Sequence, residues 1–297
     1  MTADASLFPG FESKRVSVDG IDIHCVIGGS GPPLLMLHGY PQTHAMWHRI
    51  AGELAQSYSV VCADLRGYGD SSKPRGDAAH ANYAKRAMAG DMVGLMRSLG
   101  HARFRLVGHD RGGRVSHRLC LDHPDAVEKV SVLDISPTRT MFAQTTHAFA
   151  QAYYHWFFLA QPFDLPERLI GADPLFYLHR KIRIADGDAA FFDPRALAEY
   201  QRCFANPATV HASCEDYRAA ASIDLDHDAA DVAAGRKVRV PLLALWGEKG
   251  VVHRLFRPLD DWKAVADDVR GHTIPSGHYL AEEAPRETLA ALVEFLR

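Results

Sequence analysis

The chain has 297 residues, and its 33 Lys and Arg against 36 Asp and Glu give a formal net charge of −3. Hydrophobic residues make up 47% and charged residues 23%, a composition that excludes a disordered or fibrous chain. The balanced charge argues against partners such as nucleic acids and membrane surfaces. The longest apolar runs, such as 240–246, are far shorter than the roughly 20 residues that span a bilayer.

The cysteines indicate the compartment. There are five, an odd number, scattered without a CxxC pair. This pattern is typical of reduced thiols in a cytoplasmic protein and predicts no metal site. The segment 1–14 lacks the basic start and apolar core of a secretory signal, which also favours the cytoplasm. The cysteines are Cys25, Cys62, Cys120, Cys203 and Cys214.

The first half of the chain alternates β-branched runs with amphipathic segments. Apolar strands separated by helices predict a mostly parallel sheet that is covered on both faces. The predicted strands are 21–27, 34–37, 59–63, 103–108 and 130–135, and the predicted helices are 47–56, 83–99 and 112–122.

The strand pattern disappears from about Thr138 to Ala234, a stretch rich in Ala, aromatic residues, His and Pro. It is predicted to be helical, with helices at 196–204 and 213–223 among others. Strands return at 241–246 and 269–274, and a helix follows at 286–296. The sequence therefore predicts an α/β core domain, residues 1–137 and 239–297, interrupted by a helical cap domain, residues 138–238.

The segment 103–114 contains the motif Gly-x-Asp-x-Gly between a predicted strand and a predicted helix. This is the context of a nucleophile elbow, in which small residues let strand and helix approach closely. The central residue is Asp110, and a carboxylate is already a nucleophile at neutral pH that can attack an sp³ carbon to form an ester. The alternative is a plain helix N-cap, a position that also favours Asp.

A base and an acid complete the predicted triad. Hydrolysis of an ester at Asp110 requires a general base, and His278 follows the last predicted strand. A third group must orient that His. In this architecture the acid usually follows the penultimate strand, but Gly250 stands there. Asp134, which follows the strand after the nucleophile helix, is therefore assigned as the acid, with Glu248 as the second candidate.

The loop His38-Gly39-Tyr40-Pro41 follows an early strand, where the second donor to an oxyanion lies in such folds. The backbone N–H groups of Tyr40 and Arg111 are predicted to form the oxyanion hole. The alternative is an ordinary strand-to-helix turn.

In order, these motifs resemble the α/β-hydrolase superfamily over nearly the whole chain, and Asp110 resembles its dehalogenase and epoxide-hydrolase branch. Haloalkane dehalogenases and soluble epoxide hydrolases usually have Trp after the nucleophile. This chain has Arg111, with Arg114 one helical turn later, which resembles the haloacetate dehalogenases, specifically the fluoroacetate dehalogenases. The resemblance implies an eight-stranded sheet with the cap inserted after strand 6, and a homodimer.

The resemblance also implies how a haloacetate is held. Arg111 and Arg114, three residues apart at a helix start, can both donate to one carboxylate, which orients the carbon–halogen bond toward Asp110. A cap His–Trp pair and a later cap Tyr bind the halide in the resembled family, and His155, Trp156 and Tyr217 match those positions. Each set has an ordinary alternative, since arginines pair with acidic side chains and aromatic residues form hydrophobic cores.

The predicted reaction is hydrolytic dehalogenation of a small haloacid, haloacetate to glycolate and halide, with no metal or cofactor. The nearest alternative is an epoxide hydrolase that uses the same nucleophile, with Tyr153, Tyr154 or Tyr217 as acids. Arg111 in place of Trp counts against it. A third alternative is a catalytically silent member of the fold that acts as a ligand receptor. No motif stands out in the cap stretch Tyr177–Phe192, where the substrate entrance is expected.

Overall fold

The computed structural model describes residues 7–182 and 190–297 of the chain. Eight strands form one sheet in the order β1-β2-β4-β3-β5-β6-β7-β8. Pairings of β1 with β2 and of β2 with β4 are antiparallel, and all other neighbours are parallel. The strands are β1 (Glu12–Val18), β2 (Ile21–Gly28), β3 (Pro33–Leu37), β4 (Ser59–Ala63), β5 (Phe104–His109), β6 (Val127–Leu133), β7 (Leu242–Gly247) and β8 (Val269–Ile274).

Strand β1 is not among the strands predicted from the sequence. It forms a hairpin with β2 at the sheet edge, and of its seven residues only Val18 is buried. An edge strand with one face in water lacks the apolar run that marks a central strand, so its sequence resembles a polar loop.

Helices cover both faces of the sheet and form the cap. Their bounds are α1 (His48–Leu54), α2 (Lys85–Ser98), α3 (Arg111–Asp122), α4 (Thr138–Ala143), α5 (His147–Ala152), α6 (Tyr154–Leu159), α7 (Leu165–Ala172), α8 (Pro174–Lys181), α9 (Pro194–Phe204), α10 (Pro207–Ala220), α11 (Ile223–Ala233), α12 (Val251–Leu255), α13 (Pro258–Val265), α14 (Leu280–Glu283) and α15 (Pro285–Leu296). Short 3₁₀ turns occur at His44–Trp47, Ala81–Tyr83 and Pro124–Ala126.

One predicted helix was wrong in its extent. The segment 213–223 does not form a single helix, because α10 ends at Ala220 and α11 begins at Ile223. Between them Ser222 has φ −136° and ψ −99°, far from helical values, so the chain turns there. Part of the stretch without a motif, residues 183–189, lies outside the described residues.

The fold prediction is confirmed: the sheet is mostly parallel and eight-stranded, and the helices α4–α11 follow strand β6 before the chain returns at β7. The limits 138 and 238 remain our proposal for the cap. Within residues 7–182 and 190–297, no helix combines the length and apolar character needed to cross a membrane.

The central strands are buried on both faces, and this burial positions the site. Leu34–Leu37 of β3 have no exposed surface, and neither do Leu106 and Val107 of β5. The carboxyl ends of parallel strands meet at one edge of the sheet, where ligands bind in open α/β folds. Asp110, Asp134 and the loop with His278 follow β5, β6 and β8 at that edge.

Candidate active site

Asp110 lies in the tight turn between β5 and α3. Its backbone has φ 44° and ψ −111°, a conformation that is strained for any residue except glycine. A side chain on Gly39 would place its Cβ 2.6 Å from the Cβ of Asp110, so only glycine allows this loop to approach. The Asp110 side chain is buried beneath the cap rather than exposed as a surface N-cap.

One oxygen of the Asp110 carboxylate contacts the loop after β3. The backbone N–H of Tyr40 donates to Asp110 Oδ1 at 3.0 Å. This is one of the two N–H groups that the sequence predicts for an oxyanion hole. The other belongs to Arg111, the first residue of α3, and its role remains a prediction.

His278 is oriented by Asp134. Its Nδ1 lies 2.6 Å from Asp134 Oδ2, while Asp134 Oδ1 accepts the backbone N–H of Gly247 at 3.0 Å. With Nδ1 donating to the carboxylate, Nε2 is left as the basic nitrogen. The second acid candidate, Glu248, has an exposed side chain. A Cβ at Gly250 would lie 3.3 Å from Asp134 Oδ1. The position where the acid usually stands, residue 250 after β7, is therefore directly beside Asp134, which follows β6.

Two further side chains, which the sequence analysis did not single out, hold the loop that carries His278. His109 Nε2 donates to the carbonyl oxygen of His278 at 2.8 Å. Burial and the neighbouring His278 lower the pKa of His109 to about 3, so it is a neutral donor. Glu283 accepts the backbone N–H groups of Gly277 and Tyr279, at 2.5 and 2.8 Å.

Arg111 is fully buried and paired. Its Nε and Nη2 donate to the two carboxylate oxygens of Asp216, at 2.9 and 2.5 Å, and Nη2 also reaches the Asp216 carbonyl at 2.9 Å. Its third nitrogen, Nη1, is buried and has no hydrogen-bond partner among the described residues. The ordinary alternative for this arginine, a partner of an acidic side chain, is therefore present, but it uses only part of the guanidinium.

Arg114 is held by neutral groups. Its Nη1 donates to the Ser136 carbonyl at 3.2 Å and to Thr138 Oγ1 at 2.9 Å, and Nη2 contacts Met141 Sδ at 3.2 Å. Its Nε is buried and unpartnered within the described part of the chain. Burial lowers the pKa of Arg114 to about 10, although the negative charge of Asp110 opposes this shift.

The nucleophile candidate is ionised. Burial raises the pKa of Asp110, but the neighbouring His278 and the positive charge of Arg114 outweigh this effect and bring the pKa well below its ordinary value. A carboxylate that stays charged in a buried site keeps its nucleophilic oxygens available at neutral pH.

The three aromatic cap residues come together beside the arginines. The Tyr217 ring lies 5.6 Å from the His155 ring and 6.5 Å from the Trp156 ring. The Arg111 guanidinium stacks on Tyr217 at 4.3 Å, and that of Arg114 stacks on Trp156 at 4.6 Å. His155 Nδ1, Trp156 Nε1 and the Tyr217 hydroxyl are all buried, and the described residues offer them no hydrogen-bond partner.

These three groups are neutral donors at ordinary pH. Burial, assisted by the charge of Lys181, holds the pKa of His155 well below its usual value. Burial, assisted by Asp110, raises the pKa of Tyr217 well above its usual value. Three buried polar atoms that lack a partner among the described residues can receive a small anion, because such atoms are costly to bury without a partner.

A cleft of about 630 Å³ leads to this site, and its walls include His155, Lys181 and His278. Lys181, the last residue of α8, lies 5.9 Å above the Tyr40 ring. Burial lowers the pKa of Lys181 to about 8, and Asp110 opposes the shift. Neither Lys181 nor Asp216 is among the sequence-predicted residues. Each lies beside the site because the cap packs against the carboxyl end of the sheet.

Two groups of side chains in the described residues have the donor types and spacing of metal sites. In the first, Asp64 accepts from His24 Nδ1 and His44 Nδ1, at 2.8 and 3.0 Å. In the second, Arg218 Nη1 donates to Glu167 and Glu215, at 2.6 and 2.7 Å. Hydrogen bonds account for the geometry of both groups, and neither group lines the cleft beside His278.

Comparisons with known proteins agree with this architecture. Over 291 residues, 98% of this chain and 95% of the relative, it is 49% identical to a fluoroacetate dehalogenase from Burkholderia sp. It is 31% identical to a soluble epoxide hydrolase from Corynebacterium sp. (strain C12), covering 95% and 96% of the two chains. A solved structure from Nostoc sp PCC 7120, assigned to the alpha/beta hydrolases, is 53% identical, with coverage of 96% and 98% and a TM-score of 0.93. Residues 32–285 match the alpha/beta hydrolase fold family. The chain belongs to this family, as the order of its motifs and the topology of its sheet require.

Proposed function

We propose that this protein is a haloacetate dehalogenase, which converts haloacetates, including fluoroacetate, chloroacetate and bromoacetate, to glycolate and halide through an ester at Asp110. The observation that carries the proposal is the surroundings of Asp110. An ionised carboxylate on a strained turn lies beside two arginines, each with one buried nitrogen that has no hydrogen-bond partner in residues 7–182 and 190–297. The 49% identity to a fluoroacetate dehalogenase supports the same reaction.

In the first step, the substrate carboxylate accepts hydrogen bonds from Arg111 Nη1 and Arg114 Nε. This clamp reduces the repulsion between two anions and aligns the carbon–halogen bond with the free oxygen of Asp110. That oxygen attacks the carbon, the carbon–halogen bond breaks, and the halide leaves with the electron pair. His155, Trp156 and Tyr217 donate hydrogen bonds to the halide, which matters most for fluoride, since fluoride is the most strongly hydrated.

In the second step, His278 Nε2 takes a proton from water, and the hydroxide attacks the carbonyl carbon of the Asp110 ester. The Tyr40 N–H, already bonded to Asp110 Oδ1, stabilises the negative charge on that oxygen, with the Arg111 N–H as the second donor. The intermediate collapses, the ester C–O bond breaks, His278 returns the proton to the departing alkoxide, and glycolate is released. Asp110, left as the carboxylic acid, loses its proton to solvent and is again the carboxylate nucleophile. Asp134 stabilises the imidazolium in between.

Two measurements test this mechanism. A single turnover of chloroacetate in heavy-oxygen water should place label in the Asp110 carboxylate, located by peptide mass spectrometry. His278→Asn should stop the second step and leave a stable carboxymethyl ester on Asp110, visible as an increase in intact mass. An unlabelled Asp110, or a variant without the adduct that still turns over, would contradict the ester mechanism.

Epoxide hydrolysis is the second candidate, because Tyr153 and Tyr217 are both buried beside the site and the Tyr217 hydroxyl has no partner in the described part of the chain. A soluble epoxide hydrolase is also a relative, at 31% identity. Parallel assays separate the two functions: halide release from chloroacetate supports the dehalogenase, and diol formation from styrene oxide supports the hydrolase. Ligand-dependent binding of a partner protein without either turnover would support a receptor.

Location in the cytoplasm and a homodimer are part of the same proposal. The described cysteines are all buried and unpaired, and burial raises the pKa of each thiol, as for Cys25 to about 12. Such thiols are inert and suit a reducing compartment. The dimer rests on the family resemblance, and light scattering on the purified protein tests it: a monomer mass would exclude it.

A further inference from the structure

Asp216 contacts the proposed carboxylate clamp, Arg111 and Arg114, directly, although the mechanism above gives it no role. It lies on α10 of the cap, one residue before Tyr217, and has no exposed surface. Both of its carboxylate oxygens and its carbonyl oxygen accept hydrogen bonds from Arg111. This side-on, two-point contact is the strongest geometry available to an arginine and a carboxylate.

The contact determines which part of Arg111 is left for a ligand. A guanidinium has five N–H donors in one plane, and those on Nε and Nη2 face Asp216. The remaining pair is on Nη1, which is buried and has no hydrogen-bond partner in the described chain. The plane itself rests on the Tyr217 ring at 4.3 Å, so Arg111 can neither rotate nor tilt without losing contacts.

Asp216 is in turn held by the core domain. The Tyr68 hydroxyl donates to Asp216 Oδ2 at 2.6 Å, and Lys85 Nζ contacts Asp216 Oδ1. Lys85 Nζ also lies 3.4 Å from Asp224 Oδ2. The two cations, Arg111 and Lys85, therefore balance two anions, Asp216 and Asp224. Among the described residues, Arg114 makes its polar contacts with neutral groups. Of the two clamp arginines, it is therefore the one without a described carboxylate within hydrogen-bond distance.

We propose that Asp216 is a positioning residue: it holds Arg111 so that Nη1 is the nitrogen that donates to the substrate carboxylate. Arg114 then supplies the positive charge that attracts this carboxylate. The inference rests on the proposed function and specifies how the site selects carboxylates. It implies that Arg111 mainly orients the substrate carboxylate, because Asp216 already balances the charge of Arg111 before the substrate binds.

The chain offers a matched control for this inference. Arg118, on the same helix α3, donates to Asp231 Oδ2 at 2.5 Å, and Asp231 lies on the cap helix α11. Asp231 is 3% exposed, so this pair is also a buried link between core and cap. Among the described residues, no side-chain hydrogen bond or ion pair joins Arg118 or Asp231 to Arg111 or Arg114. Arg118 also donates to Asp228 of α11, at 2.7 Å. Asp231→Asn therefore reports what weakening a buried core–cap ion pair does without changing a residue of the clamp.

The test measures acetate binding by titration calorimetry and the kinetics of chloroacetate hydrolysis. Asp216→Asn keeps the shape but turns one acceptor oxygen into a donor that faces other donors. We expect acetate to bind about tenfold more weakly or worse, and the KM for chloroacetate to rise more than kcat falls, because the clamp acts before and during the reaction. Tyr68→Phe, which removes only a hydroxyl, should shift both values in the same direction by a few-fold.

Asp231→Asn should leave acetate affinity and KM close to wild type. Equal effects of Asp216→Asn and Asp231→Asn, or wild-type acetate affinity in both Asp216→Asn and Tyr68→Phe, would overturn the inference. Should Asp216→Asn fail to fold, Tyr68→Phe decides alone. Acetate binding needs no turnover, so a protein that binds acetate through Asp216 but releases no halide from any haloacetate would contradict the proposed function and leave this inference standing.

Discussion

The sheet and the cap contribute to the same site in different ways. Asp110 and Asp134 lie in tight turns at strand ends with positive φ angles of 44° and 53°. Each carboxylate accepts a backbone N–H from another segment, the loop after β3 for Asp110 and the end of β7 for Asp134. His155, Trp156 and Tyr217 lie on regular helices of the cap, and His155 Nδ1, Trp156 Nε1 and the Tyr217 hydroxyl have no partner among the described residues.

The difference teaches where rigidity is needed. Bond formation at Asp110 requires one orientation of its carboxylate. A strained backbone turn and hydrogen bonds at the end of the sheet fix that orientation. An anion can be received by donors that approach from several directions, so helices without special backbone geometry suffice for the cap. Changes in the sheet should therefore abolish the reaction, whereas changes in the cap should alter which substrates react.

The largest effect is expected from the sheet. Asp110→Asn replaces the nucleophile with a neutral amide of the same shape, and halide release from chloroacetate should fall by at least ~10⁴-fold. Halide release is measured with a chloride electrode, and circular dichroism checks the fold. A variant that retains more than a tenth of the wild-type rate would show that Asp110 is an N-cap and not the nucleophile.

The next effect concerns the charge beside the nucleophile. Arg114→Met removes the clamp arginine that has no carboxylate partner among the described residues, and the KM for chloroacetate should rise roughly 100-fold. Arg86→Met is the control, because Arg86 pairs with Asp122 and is 45% exposed. An unchanged KM in Arg114→Met would assign Arg114 to packing against Trp156 alone.

A smaller and selective effect is expected from the cap. Trp156→Phe removes one halide donor, so kcat for fluoroacetate should fall about tenfold or more, while kcat for bromoacetate changes by only a few-fold. Trp246→Phe is the matched control, since Trp246 Nε1 donates to His253 away from the site. Equal losses for both halides would mean that Trp156 supports the cap's core and does not bind the leaving group.

The smallest effect concerns pH. The pKa of Lys181 is lowered to about 8, so its positive charge is present below that pH and is lost above it. Between pH 7 and 9.5, kcat/KM for an anionic substrate should therefore fall a few-fold in the wild type. Lys181→Met should start lower at pH 7 and lack this component of the decline. Superimposable profiles for the two proteins would exclude Lys181 from substrate attraction.

The sequence predicted the parts of the site that depend on local patterns. Asp110 stands in a strand–turn–helix motif, and the loop with His278 follows the last strand, so short segments are enough to place them. The apolar central strands were predicted for the same reason. Strand β1 was missed because its exposed face carries charges, and the end of α10 was misplaced because the turn at Ser222 contains neither Gly nor Pro.

Partners that meet only in the folded chain could not be predicted. Asp216 is separated from Arg111 by 105 residues, and nothing in its local sequence distinguishes it from other acidic residues of the cap. His109 was passed over for a related reason: its partner is the carbonyl oxygen of His278, and no motif reports a backbone acceptor. Such contacts depend on the register of the sheet and the seating of the cap.

Gly250, which lies beside Asp134, bears on how the triad could change during evolution. Gly250 has φ −75° and ψ 167°, values that an aspartate adopts without strain, and its missing side chain would point at Asp134. A lineage could gain Gly250→Asp first and lose Asp134 afterwards. The intermediate would carry two carboxylates sharing a proton, and no ancestor would lack an acid beside the imidazole. Proteins with the acid after β6 and proteins with the acid after β7 would then differ by only two substitutions at these positions.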